Sequence, residues 1–350
     1  MNAPDGVLVV GASAAGLATA EALRRKGYLG ALTVLGAEPH LPYDRPPLSK
    51  QVLAGTCQPD RAQLRRPDVL SALDATFVLG DPAVSLDSVN RTVHTSSGLA
   101  LTAEAVVVAT GLRPRTLPGQ DGLAGVHVLR TLDDALALRK NLLSCPRMVV
   151  VGDGVLGVEL RLGTAVTGLS SHEDRVTGVC LETGEVLPAD VVVVAFGAAP
   201  ATEWLADSGL PRDNGIVCDS RCRAADGIYA VGDVARWHHE TLNALLRLEN
   251  RTNATEQGIA VAGTVLGDDE PYTPVPYFWT DQFDVKIHVH GVLSPDAEVT
   301  VVDGDVADNR FVATYRHGGI VTGVLGWNMP KQARLHRQEI GNPALAGGKP

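Results

Sequence analysis

The residues nearest the start of the chain that could do chemistry form a glycine-rich turn followed by an acid. Gly11-Ala-Ser-Ala-Ala-Gly16 comes directly after an apolar run, and Glu38 lies 22 residues beyond Gly16. A helix that starts at such a turn offers unpaired N–H groups and a positive dipole end to a pyrophosphate. An acid at this distance can accept hydrogen bonds from ribose hydroxyls. The sequence therefore predicts an ADP-pyrophosphate site whose binding residues are Gly11, Ser13, Ala14, Gly16 and Glu38.

The elements that must position this turn are predicted from the apolar runs. Strands over residues 6–10 and 31–35 flank a helix over 17–26, which makes one βαβ unit. Two further buried strands end in Thr110-Gly111 and Gly232-Asp233. A plain strand-turn-helix with a chance acid is the alternative. The complete series of strand, turn, helix, strand and acid favours nucleotide binding.

The middle of the chain holds another glycine motif, and the pattern changes later, from residue 268. Gly152-Asp-Gly-Val-Leu-Gly157 follows a predicted strand over 148–151 and precedes a predicted hairpin over 162–181. From residue 268 onward, apolar residues alternate with polar ones, as in antiparallel strands. These strands are predicted over 285–289, 298–302, 310–315 and 320–325, with a closing helix over 330–340.

The composition limits the classes of function. The chain has 350 residues, of which 45% are hydrophobic, and a net charge of -10, which argues against a nucleic-acid partner. No apolar run approaches the roughly 20 residues that span a bilayer, and the N-terminus is too polar for a secretory signal. Five scattered cysteines without a CxxC pair indicate reduced thiols. A cytoplasmic protein with no membrane partner is expected.

Several motifs together resemble the FAD-dependent ferredoxin reductases that serve Rieske oxygenases and bacterial P450s. The motifs are Pro42-Tyr-Asp-Arg-Pro-Pro-Leu-Ser-Lys50, Ala109-Thr-Gly111, Leu129-Arg-Thr-Leu-Asp-Asp134, Tyr229-Ala-Val-Gly-Asp-Val234, Pro276-Tyr-Phe-Trp-Thr-Asp-Gln282 and Gly323-Val-Leu-Gly-Trp-Asn-Met-Pro330. The resemblance implies an α/β protein with a glutathione-reductase-like FAD-binding Rossmann domain, a truncated second Rossmann-like domain and an α+β C-terminal domain. The expected bounds are 1–113 with 225–268 for the first, 114–224 for the second and 269–350 for the third.

The same resemblance implies roles at matching positions. Arg45 and Lys50 would face the flavin, Arg115 would contact FAD, and Asp233 would hydrogen-bond the ribityl chain. Glu159, from the second glycine motif, would pair with Lys50 at the flavin. Thr110, Gly111 and Gly232 complete the expected FAD-binding set. Without the resemblance, Arg45 and Lys50 would belong to a solvated loop and Asp233 to a turn.

Three departures from the family pattern suggest a changed function. Only Val-Glu-Leu separates Gly157 from the predicted hairpin, so no full helix fits, and we expect the NADH-binding domain to be largely deleted. Arg251 stands where the reductases carry a tryptophan, and it could bind a carboxylate; an exposed helix-start arginine is the alternative. His288 shares a strand face with His290 and could move protons, unless both are packing or surface residues. No acid or cysteine completes a metal site there.

These departures lead to one main hypothesis and two alternatives. The main hypothesis is an FAD-dependent oxidase or oxygenase that uses dioxygen, without NAD(P)H, on a small anionic organic substrate. Lys50, Glu159, Arg251 and His288 would be catalytic, and ring expansion of an indole-pyruvate-type acid in thiopeptide antibiotic biosynthesis is one candidate reaction. The alternatives are an NADH-dependent ferredoxin reductase with a compressed nucleotide site and a non-catalytic FAD-bound interaction protein. A homodimer through the C-terminal strands is left open.

Overall fold

A computed structural model describes residues 3–144, 147–152, 161–282 and 284–341. The helices and strands of the first 144 residues are β1 (Gly6–Val10), α1 (Ala14–Arg25), β2 (Ala31–Gly36), α2 (Pro67–Ser71), β3 (Thr76–Leu79), β4 (Ala83–Asp87), β5 (Thr92–Thr95), β6 (Ala100–Thr102), β7 (Ala105–Val108), β8 (Leu112–Pro114), β9 (Val126–His127) and α3 (Leu132–Leu142).

The remaining elements belong to a middle region and a C-terminal region. They are β10 (Met148–Val151), β11 (Val166–His172), β12 (Arg175–Leu181), β13 (Val186–Pro188), β14 (Val191–Val194), β15 (Ala198–Pro200), β16 (Ile216–Cys218), β17 (Arg223–Ala225), β18 (Ile228–Ala230), β19 (Ala235–His239), β20 (Ala244–Leu246), α4 (Arg251–Val265), β21 (Tyr277–Gln282), β22 (Val285–Gly291), β23 (Glu298–Asp305), β24 (Arg310–His317), β25 (Ile320–Trp327) and α5 (Pro330–His336).

The largest core lies around a six-stranded sheet in the order β17-β18-β7-β1-β2-β3. All its pairs are parallel except β17 with β18, and Val9 is in register with Val34 on one side and Val107 on the other. These three valines are fully buried, as expected for strands covered on both faces. Helices α1 and α4 pack closely, because a Cβ at Gly258 would come within 2.7 Å of the Ala15 carbonyl oxygen. The predicted α/β class is confirmed.

The middle region repeats this arrangement on a smaller scale. A parallel sheet in the order β10-β14-β9 places Val150 beside Val193, and the antiparallel strands β11-β12-β13 lie next along the chain. Helix α3 begins with a capping box, in which the Thr131 hydroxyl and the Asp134 carboxylate bond each other's backbone N–H. The chain passes from the end of β10 to the start of β11 through residues 152–165.

The C-terminal region is a five-stranded antiparallel sheet in the order β21-β22-β25-β24-β23, with α5 packed on it. Its small core contains Val312, Val321, Val324, Met329 and Ala333. The sequence predicted four of these strands and missed β21. Among the described residues, no helix is both long and apolar enough to cross a lipid bilayer.

Candidate functional site

Two adjoining cavities, together called the central cleft, open at the carboxyl ends of β1, β7 and β18. Their volumes are about 340 and 230 Å³, and both are lined by Ser13, Arg45 and Thr110. The carboxyl edge of a parallel sheet is where this type of fold binds nucleotides. The lining residues of the cleft and their neighbours form three groups, called the turn end (Gly11 to Gly16), the acid end (Glu38, Tyr43 and Arg45) and the inner end (Arg130 and Asp233).

The turn end is built so closely that only glycine fits at two positions. Gly11 has φ +127°, and a Cβ there would lie 2.2 Å from the Ala109 carbonyl oxygen. A Cβ at Gly16 would lie 1.9 Å from the Gly11 carbonyl oxygen. Ser13 begins α1 without a side-chain cap, and the first turn holds no acid. The N–H groups at this helix start are therefore available to an anion such as a pyrophosphate.

The acid end is organised around Glu38, which lines the smaller cavity. The Tyr43 hydroxyl donates to one carboxylate oxygen of Glu38, and Arg45 Nη2 donates to the other at 2.9 Å. Burial raises the pKa of the Tyr43 hydroxyl, so this group stays a donor at neutral pH. Arg45 also donates to the Arg130 carbonyl oxygen and links the acid end to the inner end. Both Glu38 carboxylate oxygens are thereby held in a fixed position by a donor.

The inner end holds an ion pair in which burial disfavours the charged form of both side chains. Arg130 Nη2 lies 3.6 Å from Asp233 Oδ2. Burial raises the pKa of the Asp233 carboxyl, and the nearby Arg130 only partly offsets this. Burial likewise lowers the pKa of Arg130, with the Arg45 guanidinium adding to the effect. Arg130 Nε is also buried without a hydrogen-bond partner among the described residues. A polar ligand that bonds both groups would relieve this desolvation.

Arg251 lies at the edge of the central cleft and is already paired. Its Nε is 3.0 Å from Asp44 Oδ1, and its Nη1 donates to the Thr255 hydroxyl. The ion pair joins the loop after β2 to the first turn of α4. The predicted role of Arg251 in binding a carboxylate stays a prediction, and in this structure the carboxylate is that of Asp44.

The other predicted site residues are placed unevenly. Ala14, Gly111, Gly232 and Asp233 line the larger cavity of the cleft. Lys50 is exposed on the short helical turn Leu48–Val52, whose neighbours Leu48 and Ser49 line the cavity. Arg115 is also exposed and donates its backbone N–H to the Gly197 carbonyl oxygen. Glu159 lies outside the described residues, so its pairing with Lys50 stays a prediction.

His288 lies away from the central cleft, in a separate cavity of about 430 Å³. This C-terminal cavity lies between the start of α4, strands β21 and β22, and α5. His288 Nδ1 is 2.9 Å from the Tyr277 hydroxyl, and the Tyr277 ring stacks on His290 with centroids 4.7 Å apart. The two histidines thus share one cavity, as their alternation on the strand predicted.

Gly152, the described first residue of the second glycine motif, meets the neighbouring strand as Gly11 does. A Cβ at Gly152 would lie 2.5 Å from the Ala195 carbonyl oxygen, as one at Gly11 would lie close to that of Ala109. The Ala195 N–H donates to the Val151 carbonyl at 2.7 Å, and the Ala109 N–H donates to that of Val10 at the same distance. Both glycines therefore end a parallel strand against the backbone of its neighbour. The middle region retains the strand-end geometry of a nucleotide-binding turn.

The sequence missed two cleft residues. Arg130 lies in the motif Leu129–Asp134, which contributed to the predictions only as part of the family resemblance. Its ion pair with Asp233 joins residues 103 positions apart. Asp44, the partner of Arg251, lies in the Pro-rich loop beside the predicted Arg45. A single sequence contains no signal for such long-range pairs. The clustering of two arginines and two aspartates could be found only from the fold.

Together the fold and the cleft define an FAD-binding oxidoreductase built from nucleotide-binding units. The chain belongs to the pyridine nucleotide-disulphide oxidoreductase family, whose model matches residues 5–161 and 156–258, and residues 277–345 match the reductase C-terminal domain. Putidaredoxin reductase of Pseudomonas putida is 32% identical, over 97% of this chain and 92% of that protein. A benzene 1,2-dioxygenase system ferredoxin–NAD(+) reductase subunit of Pseudomonas putida is 34% identical, over 83% and 82%.

A solved structure of a reductase in complex with its partner is also similar to this chain. The covalent putidaredoxin reductase–putidaredoxin complex matches with a TM-score of 0.86 and 31% identity, over 99% of this chain and 97% of that one. The resemblance to FAD-dependent ferredoxin reductases is therefore confirmed, as are the fold class and the FAD cofactor.

The comparisons also overturn the main functional hypothesis. The oxidase or oxygenase that uses dioxygen on a small anionic substrate is wrong, because the homologues are ferredoxin and rubredoxin reductases. The expected partners, dioxygen and a small molecule, are corrected for the same reason, since the homologous complex contains a protein partner, putidaredoxin. Antibiotic biosynthesis by ring expansion and a deleted NADH-binding domain have no support. The hypothesis rested on the short spacing between Gly157 and the following hairpin, and a short spacing does not by itself remove the nucleotide site.

Proposed function

We propose that this protein transfers electrons from NADH, through bound FAD, to a ferredoxin-type iron–sulfur protein. Relatives whose names state ferredoxin–NAD(+) or rubredoxin–NAD(+) reduction support the donor and the acceptor. The observation that carries the proposal is the strand-end contact of Gly152 with the Ala195 backbone, which repeats that of Gly11 with the Ala109 backbone. A second glycine-ended parallel strand is what a second dinucleotide site requires.

The residues of the central cleft fit FAD. The start of α1 offers N–H groups to the pyrophosphate, and Glu38 offers a carboxylate to the adenosine ribose. Asp233 would accept hydrogen bonds from the ribityl hydroxyls, and the unpaired Arg130 Nε would donate one. Bound FAD supplies a carrier that accepts a hydride's two electrons and can release them singly.

The chain's own contribution is to bind, orient and enclose this carrier. Arg45 holds the loop after β2 against the cleft through Glu38 and Arg130. The ion pair between Asp44 and Arg251 joins that loop to α4 across the opening. Lys50 follows in the same loop, and a role for it beside the flavin with Glu159 is part of the proposal. His288, in the neighbouring cavity, would not contact the cofactor in this arrangement.

The pyridine nucleotide would bind at a compressed site. Only the 14 residues 152–165 connect β10 to β11, which is too few for an average helix followed by another strand. The alignment to putidaredoxin reductase spans 391 positions, so at least 41 of them face a gap in this 350-residue chain. NADH would therefore rely on the Gly152 turn with few further contacts.

The proposal is tested by following reduction of a [2Fe–2S] ferredoxin, with purified putidaredoxin as the probe, under exclusion of oxygen. We expect reduction that requires NADH, the FAD-loaded protein and the ferredoxin together, and that is absent with protein stripped of FAD. Consumption of NADH only when oxygen is admitted, with no ferredoxin reduced, would overturn the acceptor. Reduction by dithionite but not by NADH or NADPH would overturn the donor.

A further inference from the structure

The C-terminal cavity has a size and lining suited to an organic ligand. Its volume of about 430 Å³ falls within the range of small-molecule sites. Leu248, Pro274 and Val275 supply apolar wall, and the Tyr277 ring stacked on His290 adds an aromatic surface. The cavity shares Asn250 with the central cleft, so a ligand there would lie next to the flavin site.

One wall of the cavity is positively charged. Lys331, Arg334 and Arg337 line it at intervals of three residues, the spacing that places side chains on one helical face. Within the part of the chain that the structure describes, none of the three forms an ion pair, although the protein carries a net charge of -10. Glu256 is the one carboxylate in the described lining. The lining of the cavity therefore carries a net positive charge, although the protein as a whole is acidic.

His290 gives a second, independent indication that the cavity binds a polar ligand. Its side chain is 6% exposed, and its Nδ1 has no hydrogen-bond partner among the described residues. Burial, followed by the charges of Arg337, His288 and Arg334, lowers the pKa of His290 to about 4. The imidazole is therefore neutral at pH 7 and close to both guanidinium groups. A buried polar atom without a partner costs free energy unless a ligand or water satisfies it.

We propose that the C-terminal cavity binds a small organic anion that carries two or more carboxylate or phosphate groups. Arg334 and Arg337 would bind the anionic groups through paired N–H donors, and Lys331 would add a third positive charge. Leu248 and Pro274 would contact the carbon skeleton. This site is separate from the dinucleotide cleft and does not depend on whether NADH or a ferredoxin is used.

The test is calorimetric titration of the FAD-loaded protein with citrate and, separately, with fructose 1,6-bisphosphate. The double variant Arg334→Gln, Arg337→Gln is expected to bind the recognised anion at least tenfold more weakly than the wild type. A matched control, Lys286→Gln with Arg310→Gln, removes two exposed positive charges on the C-terminal sheet. Neither residue lines the cavity. The control variant should bind within about twofold of the wild type, since distant surface charges are screened by salt.

The two titrants also distinguish the ligand classes. Saturable binding of citrate alone indicates a carboxylate site, and saturable binding of fructose 1,6-bisphosphate alone indicates a phosphate site. Absence of binding to both in the wild type overturns the proposal, as does an equal loss in the control variant. If neither anion binds but the cavity variant alone raises the KM for the ferredoxin, the cations form a protein-docking surface and the small-ligand site is rejected.

Discussion

At the scale of single residues, the central cleft contains buried charges that its own side chains satisfy poorly. Asp233 and Arg130 attract each other, yet burial raises the pKa of Asp233 and lowers that of Arg130. Both shifts favour the neutral form of the side chain. Desolvation therefore outweighs their mutual attraction, as is common for buried ion pairs. A cofactor with hydroxyl groups at this point would make hydrogen bonds that the pair alone does not provide.

Replacement of Asp233 by asparagine should weaken FAD binding by roughly tenfold or more. Hydrogen bonds to a charged group contribute about 1.5–3 kcal/mol, and the amide would lose that charge. Fluorescence titration of the apoprotein with FAD measures the change. Asp226→Asn serves as the control, because the Asp226 side chain is fully exposed and lies outside the cleft. Equal affinities for Asp233→Asn and wild type would remove Asp233 from the cofactor site.

His290 should make the folded protein less stable as the pH falls from about 6.5 to about 4. Its pKa in the folded state is lowered from 6.5 to about 4, so in that range the unfolded chain binds a proton that the native state does not. Chemical denaturation at several pH values should show this loss, and it should be smaller in His290→Phe. The groups facing His290 are Tyr277, His288, Arg334 and Arg337. An identical pH profile in the variant would contradict the account.

At the scale of elements, the sheet and its helices position the cleft through close backbone approach. Gly258 of α4 sits against α1, where a Cβ would meet the Ala15 carbonyl oxygen at 2.7 Å and the Thr19 hydroxyl at 2.9 Å. Both helices begin at the cleft, α1 at the turn end and α4 beside Asn250. Their separation therefore sets the width of the site.

Gly258→Ala should destabilise the protein by about 1–2 kcal/mol and also weaken FAD binding. Overpacking typically costs about 1–3 kcal/mol, and the better helix propensity of alanine offsets roughly 1 kcal/mol at most. Urea denaturation measures the stability. Gly168→Ala, in strand β11, is the control for added volume, since among the described residues a Cβ there meets nothing within 4 Å. A Gly258→Ala protein as stable as the wild type would show that the helices are not held this tightly.

Much at this scale could be predicted from the sequence. The first strand was predicted over 6–10 and is observed at Gly6–Val10, because a buried parallel strand is a continuous apolar run. The helix predicted over 17–26 is observed at Ala14–Arg25, one turn earlier, since its first residues are small alanines that carry no periodicity. Strand β21 was missed because its residues, Tyr277–Gln282, have mixed polarity.

The site was less predictable than the fold. The turn residues and Asp233 were found because they sit at strand ends, where spacing alone is informative. The pairs Arg130 with Asp233 and Arg251 with Asp44 join segments 103 and 207 residues apart, and no local pattern encodes them. The equivalence of Gly152 and Gly11 depends on the neighbouring strand, which the sequence does not reveal.

At the scale of the whole molecule, the proposed NADH site lies at the short connection between β10 and β11. A compressed site should hold NADH more weakly than a complete one, which adds a helix dipole and a ribose acid. The KM for NADH is therefore expected to be about tenfold or more above that of putidaredoxin reductase assayed in parallel, since charged hydrogen bonds contribute about 1.5–3 kcal/mol. Equal KM values would contradict the compressed site.

The central claim is that a pyridine nucleotide reduces the flavin of this protein. The most direct measurement is an anaerobic absorbance titration of the FAD-loaded protein with NADH. We predict that the visible absorption of the flavin bleaches as NADH is added and returns when a ferredoxin is supplied. An unchanged flavin spectrum with excess NADH and with excess NADPH, from a sample that dithionite reduces normally, would contradict the account.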